Sequence, residues 1–291
     1  MTAHMQILER VVCRAPFGLR LWDVATETDL VDGLEVTIEL EADPTSFARA
    51  TVNRRGIYVG AGLPGLRTFE LGDTDIARLR RYLVRVTDPE GRFLPLRFAA
   101  DLPAQGLFTC LSDASPPEPF TLPTEHGSPI PLMTERVPLF SAPGRPAPGA
   151  LAAIRAQLVE LGTERPAAWA IVTATIDGLV RGIGLADEIG RVTVLFPYPD
   201  RARPTLTSPP QATNEFRWNV ELIAYYAGLP GAPPDLRDVL KQLSSPRTLF
   251  QSITSPPQSL PALPLEYRTP LTVRTEITPS GPSSFLYVNV T

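Results

Sequence analysis

Lysine is almost absent from this 291-residue chain: Lys241 is the sole one, and histidine and cysteine stand at two residues each. A phosphate-cradling Walker A loop needs Gly-Lys-Ser/Thr at a strand-to-helix turn, and Lys241 sits in Val-Leu-Lys-Gln, so that chemistry is excluded. His4 and His126 supply no H-E-x-x-H pair and no Cys-x-x-Cys occurs, so a zinc site has no motif behind it. No Gly-x-Ser-x-Gly elbow is present either. No apolar run approaches the roughly 20 residues of a membrane-spanning helix, and no basic N-terminus leads into an apolar export segment. Synthesis in the cytoplasm without a signal peptide is the expectation, with Cys13 and Cys110 reduced and packed.

What abounds is proline, at 33 residues beside 20 glycines. Each interior proline removes a helix hydrogen bond and clashes with the preceding turn, so long helices are excluded and a β-rich, loop-rich fold is expected. The apolar fraction of 43% is that of an ordinary globular protein and argues against wholesale disorder. Net charge is -4, which offers nothing for neutralising phosphates, so nucleic acid is not an expected partner. The arginine excess over lysine follows from GC-rich coding or from a use for planar, multi-donor contacts.

The patterns along the chain read as strands and turns. Leu34, Val36, Ile38 and Leu40 alternate with polar neighbours, the period of a half-buried strand. A second hairpin is expected around the turn Asn53–Gly56, with Ile57 and Val59 resuming the alternation. Residues 73–81 carry acids first and arginines last, which suits a short helix. Two strands flank Asp88-Pro89-Glu90-Gly91, the return strand opening at Phe93 and Leu94. Residues 112–148 are proline-dense and expected to be extended rather than packed. A domain boundary is placed near Ala142; the same stretch also suits a loop laid along the first domain.

In the second half, Leu151, Ile154, Leu158 and Leu161 fit a helix while Ile154, Ala156 and Leu158 fit one strand face, and composition favours helix. The clearest strand puts Phe216, Trp218, Val220, Leu222, Ala224 and Tyr226 on one face. Asp235 is a candidate cap for a short amphipathic helix through Leu236, Val239, Leu240 and Leu243. Two strands, 271–277 and 285–290, are expected as a closing hairpin across Pro279-Ser280-Gly281.

The stretch RAQLVELGTERPAAWAIVTATIDGLVRGIGLADEIGRVTVLFPYP resembles the carboxypeptidase regulatory-like, transthyretin-related β-sandwich. The likeness lies in a strand, a turn ending at Pro166, a strand with Ala170 and Val172, and the Gly-rich acidic turn at 184–190. It implies that 151–161 is a strand, against the helical reading. The order of LRLWDVATETDLVDGLEVTIEL, RRGIYVGAGLPGLRTFELG, VRVTDPEGRFLPLRF and GLADEIGRVTVLFPYP is similar to proteins of phage-tail-like contractile injection systems. That likeness implies a structural part at a baseplate or particle end, in contact with other subunits, as a ring homo-oligomer or otherwise, in a particle that is released. It carries over no catalytic residue and no cofactor.

The expected fold is therefore mainly β, two Ig- or transthyretin-like antiparallel sandwiches with few short helices and proline-rich loops. The expected divisions are 1–141 including the proline-rich 112–141, 142–230 as the regulatory-like sandwich, and 231–291 as helix, Ser/Pro-rich extension and hairpin. Asp187 and Glu188 are adjacent carboxylates that point apart, so turn chemistry with Gly190 explains them better than acid-base work. Among the aromatics Phe196, Tyr198, Trp218, Tyr225 and Tyr226, core packing is the default; Tyr198 and Tyr225, off the main alternation, are the candidate partner contacts. The alternative function is a surface or secreted sandwich that binds a glycan or small ligand on its loops.

Overall fold

The computed structural model describes residues 14–71, 79–104, 106–108, 121–123, 129–131, 136–199, 217–229, 233–252, 256–277, 281–283 and 285–290. Among the described residues the chain is mainly β, its sheets built mostly of antiparallel pairs and packed face to face, with short helices only. Cys13, Cys110, His4, His126 and Phe216 lie outside the described residues, as does most of the helix expected at 73–81.

The first half contains β1 (Phe17–Leu19), β2 (Leu21–Asp23), β3 (Thr28–Leu30), β4 (Glu35–Leu40), β5 (Asp43–Arg49), β6 (Thr51–Val52), β7 (Tyr58–Gly60), α1 (Arg67–Glu70), β8 (Arg80–Thr87), β9 (Leu96–Leu102), β10 (Thr121–Pro123), β11 (Pro129–Pro131) and β12 (Val137–Leu139). A four-stranded sheet runs β5-β4-β8-β9. The alternation read at Val36 and Ile38 buries both, and they join Tyr82, Val84, Val86, Phe98 and Ala100 on one face. The sheets β1-β7-β6 and β12-β2-β3 supply the facing layer of Phe17, Leu19, Leu21, Tyr58, Val137 and Leu139.

Four expectations for this half are corrected. The hairpin at Asn53–Gly56 exists, but Tyr58 and Gly60 face the core while Ile57 and Val59 do not. Gly60 lies close under the facing sheet: a Cβ there would lie 2.4 Å from Ile38 Cδ1, so a larger residue would force that side chain to shift. Arg80 and Arg81 begin β8 instead of ending a helix. The return strand after Gly91 starts at Leu96, because Phe93 instead bridges to Ser141. Within the proline-dense stretch, β12 is fully buried and pairs in parallel with β2. Pro138 is tolerated there because β12 is an edge strand.

The second half contains β13 (Leu151–Glu160), β14 (Ile171–Ile176), β15 (Leu179–Leu185), β16 (Arg191–Pro197), β17 (Arg217–Tyr225), α2 (Leu236–Lys241), β18 (Pro246–Arg247), β19 (Leu249–Phe250), β20 (Leu263–Glu266), β21 (Leu271–Thr272), β22 (Thr275–Ile277), β23 (Gly281–Ser283) and β24 (Phe285–Val288). One sheet runs β16-β13-β24-β19 with β21 also on β13; the other runs β15-β14-β17-β18 with β20 on β17. Between them pack Ile154, Leu158, Val194, Phe196, Leu286 and Val288 from one side and Val172, Ala174, Val220, Leu222 and Leu265 from the other. Residues 151–160 form a strand, as the resemblance implied and as the helical periodicity did not. The GLADEIG turn joins the two sheets: Asp187 Oδ1 accepts from Ile189 N–H and Arg191 N–H, and Gly190 takes φ +80°. The closing hairpin is corrected. The strands at Leu271 and Phe285 do not pair with each other but each runs parallel to β13, and the hairpin in that region is β22–β23.

The halves share a core. Trp169, Ile171, Ile183 and Leu185 on the outer face of the β14–β15 sheet belong to one apolar cluster with Val84, Phe98 and Phe140 of the first half. Helix α2 completes it with Leu236, Val239 and Leu240, the positions read from helical spacing. Asp235 caps α2 through Arg237 N–H, and its second carboxylate oxygen accepts from Ala99 N–H on the free edge of β9. Gln242 Nε2 donates to Trp169 O, and its Oε1 accepts from Ala227 N–H.

A buried ion pair locks the connection. Asp23, 2% exposed at the end of β2, receives both Arg145 Nη atoms at 2.9 and 2.6 Å, as well as Ala25 N–H and Thr26 Oγ1. Arg145 also donates to Ser141 Oγ and lies 4.6 Å over the Phe93 ring. Its carbonyl accepts from Arg155, and Pro143 O accepts from Thr193, so the residues around Ala142 are tied to both halves.

Two predictions follow from these contacts. Asp23→Ala leaves a buried guanidinium unpaired and lowers unfolding free energy by about 3–5 kcal/mol in a urea titration. For Asp88, burial alone raises the carboxyl, but hydrogen bonds from the Arg92 side chain and from Arg92 and Glu90 N–H outweigh it and hold it below the ordinary value. A lowered folded-state value contributes stability above the unfolded carboxyl's titration near about 3.9, lost as pH falls through the folded value. Asp88→Asn is therefore less stable at neutral pH, and the difference from wild type closes on acidification, read by thermal melts across pH.

Candidate interaction surfaces

The two edges of the β5-β4-β8-β9 sheet differ in chemistry. The β9 edge is covered where Asp235 bridges Arg97 and accepts from Ala99. The β5 edge meets no strand among the described residues. In the β4–β5 ladder Ala50 N–H donates to Val36 O, so Ala48 and Ala50 turn their amide groups toward β4 while Phe47 and Arg49 turn theirs outward. Phe47 is 55% exposed, opposite Glu39 on the outer face. Such an edge is a template for another strand, and natural proteins usually blunt it. At the start of the strand Asp43 accepts from the Ser46 and Thr45 side chains, which holds its carboxyl below the ordinary range, and exposed Arg49 is the charged residue near its end. The hairpin expected around Asn53–Gly56 covers only the end of β5, because the half-buried positions of DPTSFAR are the small residues Ser46 and Ala48 and its one large apolar residue, Phe47, faces outward.

Tyr198 lies just past β16 and is half-buried in an aromatic cluster. Its ring centroid is 5.5 Å from Trp218 and 4.8 Å from Tyr267, the latter edge-on, and Arg268 stands 5.2 Å over Tyr267. The Tyr198 hydroxyl accepts from Arg268 N–H at 2.8 Å; burial pushes its titration up, partly offset by that bond. The cluster joins β16, β17 and the turn after β20, so Tyr198 staples one end of the second sandwich and leaves one flank to solvent. Trp218 was assigned to a strand face by pattern alone; Tyr267, in a Ser/Pro-rich stretch, gave no such signal.

Tyr225, at the end of β17 opposite Ile171 and Pro246, packs partly buried against the core shared by the two halves. Its neighbour Tyr226 faces the second core and donates to Glu160 Oε1 at 2.7 Å. Thr163 and Tyr226 hold the Glu160 carboxyl down, and burial followed by Glu160 pushes the Tyr226 hydroxyl up. Asp187 is committed to its turn and to Arg191 at 2.8 Å, while Glu188 is exposed. Among the described residues no three His, Cys, Asp or Glu side chains converge as a metal site, and no helix is long and apolar enough to cross a membrane.

No family model and no curated protein matches the chain. Among solved structures, it is similar to the shaft pilin spaA from Lactobacillus rhamnosus GG, at 11% identity, 94% of this chain, 97% of the pilin and a TM-score of 0.22. Two point variants of that pilin match at 11% and 9% identity, each over 94% of this chain and 98% of theirs, with TM-scores of 0.21. Likeness at such TM-scores carries no argument about fold, partner or role.

Tyr198→Phe removes the acceptor for Arg268 N–H while keeping the ring contacts. Denaturant unfolding is expected to show a loss of about 1 kcal/mol, and Tyr198→Ala a larger one because ring packing goes as well.

Proposed function

We propose that this chain is a non-enzymatic structural component of a phage-tail-like contractile injection particle, held to neighbouring subunits by protein–protein contact. The observation that carries the contact-making part is the open β5 edge, where Phe47 and Arg49 offer outward amide groups beside an exposed aromatic ring. The particle itself is suggested by the ordered sequence resemblance over the β2–β4, β7–α1, β8–β9 and β15–β16 segments. An open edge such as that of β5 suits a subunit that is positioned by its neighbours, because the partner strand brings the directional hydrogen bonds and Phe47 adds apolar area. Assembly as a ring of identical copies is one way to use such an edge; contact with a different subunit is another. Synthesis in the cytoplasm before assembly and release accords with this role.

The test is purification of the particle from producing cells followed by mass spectrometry. Wild-type chain is expected in the particle. Phe47→Lys and Arg49→Pro should fold with stability within about 0.5 kcal/mol of wild type, since both act on solvent-facing groups, yet drop out of the particle. Absence of the wild-type chain from the intact particle overturns the assignment, and retention of both variants overturns the role of β5.

A further inference from the structure

The outer face of the β16–β13 sheet carries a cleft of about 200 Å³, lined by Pro143, Arg155, Gln157, Arg191, Thr193 and Thr272 with their neighbours. Register fixes its floor. Arg155 stands directly opposite Thr193 and Gln157 opposite Arg191, so the two arginines are diagonal neighbours on one face. Pro143, from the connection between the halves, and Thr272, from β21, form the rim.

The two guanidinium groups differ in their partners. Arg191 is committed to Asp187, at 2.8 Å from Nη2 and 2.9 Å from Nε. Arg155 is half-buried and, among the described residues, has no carboxylate within ion-pair distance. Its side chain makes one hydrogen bond, from Nη2 to Arg145 O, and its buried Nε meets no acceptor. That bond comes from the same connecting segment that Asp23 anchors, so the Arg155 side chain is held in place before anything binds. A guanidinium withdrawn from water without a counter-charge is unfavourable, and an anion that reached it would recover that energy. None of the cleft's lining residues is acidic, while Gln157 and Thr272 add neutral polar groups.

We propose that this cleft is a carboxylate-binding site in which Arg155 is the principal donor. Planar guanidinium matches a planar carboxylate, and the small volume admits one such group rather than an extended ligand. The carboxylate comes either from a free small acid or from an aspartate or glutamate side chain of a protein partner. The proposal goes beyond the particle assignment and does not depend on it, because the site is complete within one chain.

The experiment follows the Arg155 Nε–H resonance of the intact protein by NMR during titration with acetate and, separately, with a short peptide capped at both ends and carrying a single glutamate. Both probes are expected to shift the resonance to saturation, with binding weakened by added salt. A peptide that binds more tightly than acetate points to a protein partner; equal affinity points to a free acid; either result supports the site. Arg155→Gln should weaken binding by about 10-fold or more and Arg155→Lys by less, since lysine keeps the charge but loses the fork. An Arg155 resonance that moves with neither probe overturns the proposal, as does unchanged affinity in a folded Arg155→Gln protein. The wild-type resonance decides the matter even where a variant fails to fold.

Discussion

The architecture hangs on one buried, bidentate ion pair, Asp23 with Arg145. Neither partner is useful alone, because an isolated buried charge is worth several kcal/mol of instability. Together they fix where β2 ends and where the connection to β13 begins, and every remaining carboxylate lone pair faces a local donor, Ala25 N–H or Thr26 Oγ1. Arg145 then passes the constraint on: its ring contact orders Phe93, and its carbonyl orders Arg155. A proline-dense connector of the kind that normally leaves two modules independent is thereby made part of both.

Strand β14 is buried on both faces: Ile171, Val172, Thr173 and Ala174 are all buried. Alternate residues serve two different cores, one inside the second sandwich and one shared with the first half. A strand buried on both faces reads as a continuous apolar run, and the small residues Ala174, Gly182 and Gly184 are what let the layers close. At Gly182 a Cβ would meet the Phe196 ring at 2.7 Å, and at Gly184 it would meet Thr193 O at the same distance. Relative motion of the halves requires opening this shared core, so the molecule behaves as one body wherever the residues are described.

Fold class was legible in the sequence because proline density and alternation both act locally. The strand at Val36 and Ile38, the cap at Asp235 and the turn at Asp187 were all read from spacing, since each is decided within a few residues. What spacing could not show is pairing. The proline-rich run gave no hint that Val137–Leu139 would lie in parallel against Leu21–Asp23, and the last strands were matched to each other when both belong to β13. Periodicity also misled at Tyr58 and Gly60, which face the core although the apolar alternation runs through Ile57 and Val59. The candidate sites were less legible still. Phe47 sits in an edge strand whose inward positions are small residues, and Arg155 acquires meaning only from Arg145 and Thr193, neither of which its own segment announces.

The parallel placement of β24 beside β13 has a kinetic consequence. Gln157 pairs with Phe285, a separation of 128 residues (285 − 157), so a central ladder of the second sandwich cannot form until two distant stretches meet. Chain closure over that span is entropically slow and is rewarded only late, which places this molecule among topologies that fold on millisecond-to-second timescales or slower. Until that closure one side of β13 remains unsatisfied and adhesive, and the nascent polypeptide is most vulnerable to aggregation during this interval.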